Sequence, residues 1–318
     1  VGGGVAARGE LSLAVTSNEG VRTLTLRQPG RGVVVLDWAL LRGIDAALDE
    51  VEATPGLAGF VLTSDSRVFI GGANLAEIMD LSDADLHEYL RFGQRVFGRI
   101  AALGCASVAA LNGAALGGGL EIALHCDHVI AAAPAGGAEG KPARAYQVGL
   151  PEAGLGICPG WGGTNMLPAR IEAGAAIEMT ASGRTIGVDE AERLGLVEEI
   201  VPAARLLERA REIARRPRGK RRLIPACISE AGRREWAKRA LERVLPTLPM
   251  TEAAKAVAAC VGTGLEKSGE AGWRAALDAE RENLVRLRNT AAAREAISKF
   301  FEKAGVKSQA GGGAKGSG

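Results

Sequence analysis

The stretch Leu111–Asp127, LNGAALGGGLEIALHCD, constrains the local fold more than any other part of the 318-residue chain. An apolar run, Ser107–Leu111, enters Asn112-Gly113; three consecutive glycines follow, and then Leu120-Glu121-Ile122-Ala123-Leu124. That order predicts a strand, a tight turn and the start of a helix. Without Cβ atoms, Gly117, Gly118 and Gly119 let the backbone pass within contact distance of another group. They also leave the first amides of the helix free to donate at its electropositive end. Glu121 then carries a carboxylate into surroundings of Leu, Ile and Ala. Such a combination suits a site where negative charge develops on an oxygen while a carboxyl group moves a proton. Taken alone, the stretch is equally consistent with a plain tight turn whose Glu121 complements a helix dipole.

Two further stretches echo it. Val68–Asp80, VFIGGANLAEIMD, repeats the order of apolar run, glycines, small residue and helix start. Two such loops on neighbouring parallel strands would aim two amide N–H groups at one point. Downstream, Pro151-Glu152 precedes GLGICPGWGG, where Gly160, Gly162 and Gly163 offer more free amides ahead of a helix over Thr164–Ile171. Pro151 fixes the backbone before Glu152, a second candidate carboxylate. By itself Glu152 reads as a solvated loop residue.

The rest of the chain narrows the class. A net charge of +2 and an aromatic content of 4% give no footprint for nucleic acid, either as a basic face or as a stacking surface. The five cysteines, Cys105, Cys126, Cys158, Cys227 and Cys260, form no CxxC pair and are odd in number, so we expect reduced thiols in a cytoplasmic protein. His125 and His128 are three apart but lack an evident third ligand, and no metal site is expected. There is no signal-peptide pattern and no membrane-spanning run. The chain opens Val-Gly-Gly-Gly without Met, as expected of one that is processed, trimmed or part of something longer.

In chain order, Leu11–Val15 and Val21–Leu26 predict a hairpin, Val33–Leu36 a short strand, Ala39–Val51 a helix and Gly59–Thr63 a buried strand. Strand, helix and strand in that order imply a right-handed crossover and a parallel sheet. Asp83–Leu103 predicts an amphipathic helix, Val129–Ala133 a strand, Gly174–Ala181 and Asp189–Leu194 helices, and Val197–Val201 a strand. From Ala203 to Gly305 the pattern is almost wholly helical. We expect a loose N-terminus (1–10), a core (11–202), a helical C-terminal region (203–306) suited to oligomerisation or linkage, and a disordered tail (307–318). Pro134–Ala143 reads as a low-complexity surface excursion and Arg215–Arg222, RRPRGKRR, as a solvated basic face. The tail's GGGAKG matches GxGxxG by letter only, since no strand precedes it and no helix follows.

FIGGANLAEI, NGAALGGGLEIALHCD, GLPEAGLGICPGWGGT and TASGRTIGVDEAERLGLVEEIVP occur in this order, and together they resemble the enoyl-CoA hydratase/isomerase (crotonase) superfamily over about Leu11 to Arg216. Within it the chain is most similar to the hydratase half of the multifunctional fatty-acid oxidation α-subunit. There ERENLVRLRNTAAAREAISKFFEK resembles the segment that joins hydratase to 3-hydroxyacyl-CoA dehydrogenase. The resemblance implies an α/β, crotonase-like (ClpP/crotonase) fold of repeated ββα units with two roughly perpendicular sheets and a helical C-terminal region. It implies an acyl-CoA thioester substrate and no cofactor beyond the coenzyme A that the substrate carries. By residue matching, the oxyanion-hole amides are those of Ala73 and Gly118, the catalytic acids Glu121 and Glu152, and the substrate-binding residues Ile70, Gly72, Asn74, Gly117 and Gly160, the last helping to orient the catalytic groups. The implied reaction is reversible hydration of trans-2-enoyl-CoA in fatty-acid β-oxidation, with Δ3-Δ2-enoyl-CoA isomerisation and a non-catalytic acyl-CoA-binding or scaffolding subunit as alternatives. Implied partners are further copies of the chain, as a trimer or hexamer, and a dehydrogenase or thiolase subunit. One departure stands out: the family usually has Asp after the oxyanion alanine, and this chain has Asn74. The Pro134–Ala143 insertion also lengthens the approach to Glu152.

Overall fold

The computed structural model describes residues 13–136, 145–217 and 223–303. The expected loose N-terminus 1–10, most of the Pro134–Ala143 excursion, most of the basic run and the 307–318 tail lie outside the described residues.

Strands β1 (Ala14–Asn18) and β2 (Val21–Leu26) form the expected hairpin, antiparallel and in register Ala14 to Thr25; β2 lies where the alternation places it and β1 a few residues later. Helix α1 (Trp38–Glu52) starts where the Asp37 carboxylate accepts the Leu40 N–H at 2.8 Å. It carries the chain to β3 (Gly59–Ser64), which pairs in parallel with β2, Val21 opposite Gly59. The parallel crossover therefore exists, but its first strand is β2. Val33–Leu36 is not a sheet strand; it meets the 71–74 loop through an isolated bridge from Leu36 to Ala73 and a bond from Gly71 N–H to the Val34 carbonyl at 2.8 Å. Helices α2 (Leu75–Asp80) and α3 (Asp83–Ala102) follow, the latter capped by Ser82, whose hydroxyl accepts the Asp85 N–H. Next come β4 (Ala106–Leu111), the two-residue β5 (Ala115–Leu116), α4 (Gly118–Leu124) and β6 (His128–Ala132).

The second half contains β7 (Gln147–Gly149), a 3-10 turn at Glu152–Leu155, α5 (Gly163–Arg170), α6 (Ala173–Ser182), β8 (Thr185–Gly187), α7 (Val188–Arg193) and β9 (Glu199–Val201). It then becomes helical: α8 (Leu206–Ala214), α9 (Ala226–Ser229), α10 (Ala231–Val244), α11 (Glu252–Glu266), α12 (Gly269–Arg288) and α13 (Ala291–Lys303). The six-stranded sheet runs β1-β2-β3-β4-β6-β9, parallel after the first pair, and a second sheet runs β5-β7-β8.

Strand periodicity accounts for the layering. In β3, Phe60 and Leu62 face the main core while Val61 faces the other side; in β4, Ala109 and Leu111 divide from Val108 and Ala110 in the same way. α8 covers the second face through Leu206, Ala210 and Ile213. Both strands are buried along their whole length, as expected of parallel strands covered on each side. Among the described residues, no helix is long and apolar enough to cross a membrane.

Candidate active site

β3 and β4 are parallel neighbours, and the loops that leave them run to the same place. After β3 the chain passes Gly71-Gly72 to Ala73. Leu36 N–H donates to the Gly72 carbonyl at 2.9 Å and Asn74 N–H donates to the Leu36 carbonyl at 2.8 Å. Those two bonds flank Ala73, so its own N–H points away from Leu36. Tyr89 of α3 fixes the same carbonyl: its hydroxyl donates to Leu36 O at 2.7 Å. After β4, Leu116 N–H donates to the Ile70 carbonyl at 3.1 Å, which ties the second loop to the first. Gly117 then turns with φ of 53° and ψ of −128° to begin α4. Gly118 is the first residue of that helix, so its N–H has no intrahelical acceptor. Neither the Ala73 nor the Gly118 N–H finds an acceptor among the described residues. Both residues line one apolar cavity of about 130 Å³.

Glu121 sits in the first turn of α4, only 1% exposed. Its Oε1 accepts two backbone N–H groups, from Trp161 at 2.8 Å and Gly163 at 2.9 Å. Burial raises the pKa of this carboxyl well above the ordinary range, with the charges of Glu280 and Glu152 adding to the rise and the two amides opposing it. Glu152 begins the 3-10 turn after Pro151. Its Oε2 is shielded from solvent and has no hydrogen-bond partner among the described residues. Burial pushes its pKa up to about 8, partly opposed by a backbone amide. Both carboxyls line the same cavity as Ala73 and Gly118, with Leu75, Ile78, Leu90, Trp161 and Leu284 among the apolar walls.

Gly72, Gly117 and Gly160 also line it; Ile70 and Asn74 do not. Ile70 is fully buried and acts through its backbone, while Asn74 caps α2 by accepting the Glu77 N–H. Asn74 thus does the capping work that Asp would do, without the negative charge. The amides that orient Glu121 belong to Trp161 and Gly163, whereas Gly160 offers its carbonyl to Gln94 Nε2 at 2.9 Å.

Three contributors escape a reading of the sequence. The Trp161 ring, 1% exposed, packs against Tyr89 and Phe97 and donates its Nε1–H to Leu90 O at 3.2 Å, locking the turn that holds Glu121. Phe300 of α13 reaches the cavity from the far C-terminus. Glu280 of α12 is fully buried and accepts from Gly162 and Thr164 of that turn. A signal for Glu280 did exist: it interrupts the apolar stripe Ala276, Leu284, Leu287 at helical spacing.

His125 and His128 serve the fold. His125 Nδ1–H donates to the Glu121 carbonyl at 2.9 Å, burial holds its pKa near 4, and His128 pairs with Glu198. Among the described residues, no three His, Cys, Asp or Glu side chains cluster to hold a metal ion. All five cysteines are buried.

Solved structures of the same fold include an enoyl-CoA hydratase from Bacillus anthracis, 26% identical with a TM-score of 0.57, covering 92% of this chain and 96% of that one. An enoyl-CoA hydratase from Bacillus halodurans is 22% identical with a TM-score of 0.63, covering 90% and 99%. An enoyl-CoA hydratase/isomerase from Pseudoalteromonas atlantica is 22% identical with a TM-score of 0.61, covering 92% and 97%. These likenesses place the α/β architecture with its helical C-terminal region in the crotonase fold. The family model for enoyl-CoA hydratase/isomerase matches residues 16–248, well over half of the chain. On that match, the chain belongs to the enoyl-CoA hydratase/isomerase family.

Proposed function

We propose that the protein is an enoyl-CoA hydratase, adding water reversibly across the double bond of a trans-2-enoyl-CoA to give a 3-hydroxyacyl-CoA in fatty-acid β-oxidation. One observation carries this reading: two shielded carboxyls, Glu121 and Glu152, share a cavity with two unengaged backbone N–H groups, Ala73 and Gly118. The chemical difficulty is the weak electrophilicity of C3 and the negative charge that builds on the thioester oxygen. The two N–H groups accept that charge, and one such donor is worth about 3 kcal/mol of barrier. Glu121, whose Oε1 is held by two amides, takes a proton from water as its oxygen bonds to C3. Glu152, which burial keeps protonated near neutral pH, delivers a proton to C2 as the enolate collapses. The proton taken and the proton given balance the addition. Nothing in the reaction is oxidised or reduced, so it calls on no group beyond the coenzyme A that the substrate carries. Assembly as a homo-oligomer, and association with a dehydrogenase or thiolase, belong to the same proposal.

Crotonyl-CoA tests it. The enoyl absorbance should fall with formation of the 3-hydroxy product in the wild type, and Glu121→Gln and Glu152→Gln should each lose about 100-fold or more. An isomerase would need only one of the two carboxyls and would convert a 3-enoyl-CoA instead. Binding without any turnover would favour a scaffolding subunit, and an untouched enoyl absorbance in the wild type ends the hydratase reading.

A further inference from the structure

Glu280 is a third buried carboxyl beside the cavity, and the hydration chemistry leaves it without a task. Its Oε2 accepts the Gly162 N–H at 2.5 Å; its Oε1 accepts the Thr164 N–H at 2.8 Å and the Thr164 hydroxyl at 2.5 Å. The alternate amides of the same turn, Trp161 and Gly163, donate to Glu121. Four successive N–H groups are therefore divided between two carboxyls arriving from opposite ends of the chain. Every partner of Glu280 is a donor, which is what an ionised carboxylate satisfies. The groups that act on it are Glu121 from α4, Glu152 from the 3-10 turn, Gly162 and Cys158 from the Gly-rich turn and Thr164 from α5. Its chain neighbour Arg281 turns instead to Gln94 and Asp278. Three buried carboxyls with no cation among their hydrogen-bond partners do not all ionise together near neutral pH.

We propose that Glu280 is a positioning residue: it clamps the turn 161–164 so that Trp161 and Gly163 face Glu121, and its carboxylate, when ionised, is electrostatically coupled to both Glu121 and Glu152. The roles of Glu121 and Glu152 rest on the hydratase reading; the clamp and the charge coupling do not. Burial lifts the Glu280 carboxyl only to about 7, because three donors oppose the rise, while the Glu280 charge raises both Glu121 and Glu152. Further along the same helix, Leu284 lines the cavity, and Arg288 Nη1 donates to Ile78 O at 2.5 Å and Leu81 O at 2.7 Å, holding the end of α2. One helix thus braces both halves of the site.

The test is Glu280→Gln in the full chain, read in two ways. The side-chain carboxyls of Glu121 and Glu152, followed by carbon-13 NMR titration in the free protein, should titrate lower by about one unit once the neighbouring charge is gone. With crotonyl-CoA, the whole pH profile should shift to lower pH by the same amount, giving about a tenfold loss on the basic limb, with KM changed less than about twofold. Thr164→Val, which removes one donor and leaves the Glu280 carboxyl in place, should shift the titrations in the same direction and less, and it carries the test if Glu280→Gln does not fold. Unmoved titrations, or a pH profile that superposes on the wild type while only stability falls, overturn the proposal. A wild type that shows the coupled titrations but hydrates nothing would sink the hydratase reading and leave the clamp standing.

Discussion

Glu121→Gln and Glu121→Ala separate what the carboxyl does chemically from what it holds together. Both hydrogen bonds from the Gly-rich turn end on the same atom, Oε1. A glutamine placing its carbonyl there keeps both, and its NH2 replaces the oxygen on the other side. The substitution also removes an acid that burial penalises in its charged form. Stability should therefore stay within about 1 kcal/mol of wild type, a Tm change of about 2–4 °C. The proposed base is lost, so on the hydratase reading hydration of crotonyl-CoA should drop about 10²- to 10⁴-fold. Alanine instead strips the acceptor from two buried amides at about 1–3 kcal/mol each, with a void added. Glu121→Ala should cost about 2–6 kcal/mol and lower Tm on the order of 5–15 °C. Differential scanning calorimetry and the enoyl absorbance assay on the same preparations decide the matter. An alanine variant as stable as wild type, or a glutamine variant that keeps its rate, refutes the reasoning.

Wild type should lose stability relative to Glu152→Gln as pH rises from about 5 to 8. A carboxyl whose folded pKa is raised to about 8 retains a proton that the unfolded chain has already released, so its contribution is complete below the unfolded value of about 4.3 and is lost on the way up. Unfolding free energies of the two proteins from urea titration should diverge by on the order of a few kcal/mol across that window, and parallel pH dependences would count against it. Gly93→Ala should destabilise by about 1–3 kcal/mol and slow turnover, because its Cβ would fall within 2.9 Å of three atoms of the Trp161 ring that locks the Glu121 turn; unchanged melting would show that the turn has slack. A bound, unreactive acyl-CoA should show its thioester carbonyl stretch moved to lower frequency by the Ala73 and Gly118 amides; a stretch identical to that in water would remove the oxyanion site from the mechanism.

The two glycine-rich loops were legible because their constraint is local: strand, clearance for the backbone, helix start. Periodicity likewise gave β3, β4 and α3 nearly to the residue. It misled at Val33–Leu36, where a run of apolar residues is held against the 71–74 loop by a few backbone bonds at Val34 and Leu36 rather than through a ladder. The same limit hid the role of Trp161. Its ring reads as ordinary core, and only the fold brings its backbone N–H to a carboxyl forty positions earlier in the chain. Glu280 was obscured by its setting, one acid in a helix dense with Glu and Arg, where solvent is the ordinary destination. Its place on the stripe of Ala276, Leu284 and Leu287 sets it apart from Glu282 two positions on, but only the packing of α12 against the Gly-rich turn shows what it holds.

That packing bears on how the protein is made. A ribosome releases the chain from its N-terminus, so both loops and both acids emerge long before α12 does. Until Arg288 has been synthesised, the amides of Gly162 and Thr164 lack their acceptor and the carbonyls of Ile78 and Leu81 lack their guanidinium. A nascent chain stalled at residue 248, the last residue of the family match, would carry every residue proposed for the chemistry and still hold an unfinished pocket. Completion of the pocket thus waits until α12 has been synthesised and packed against the Gly-rich turn.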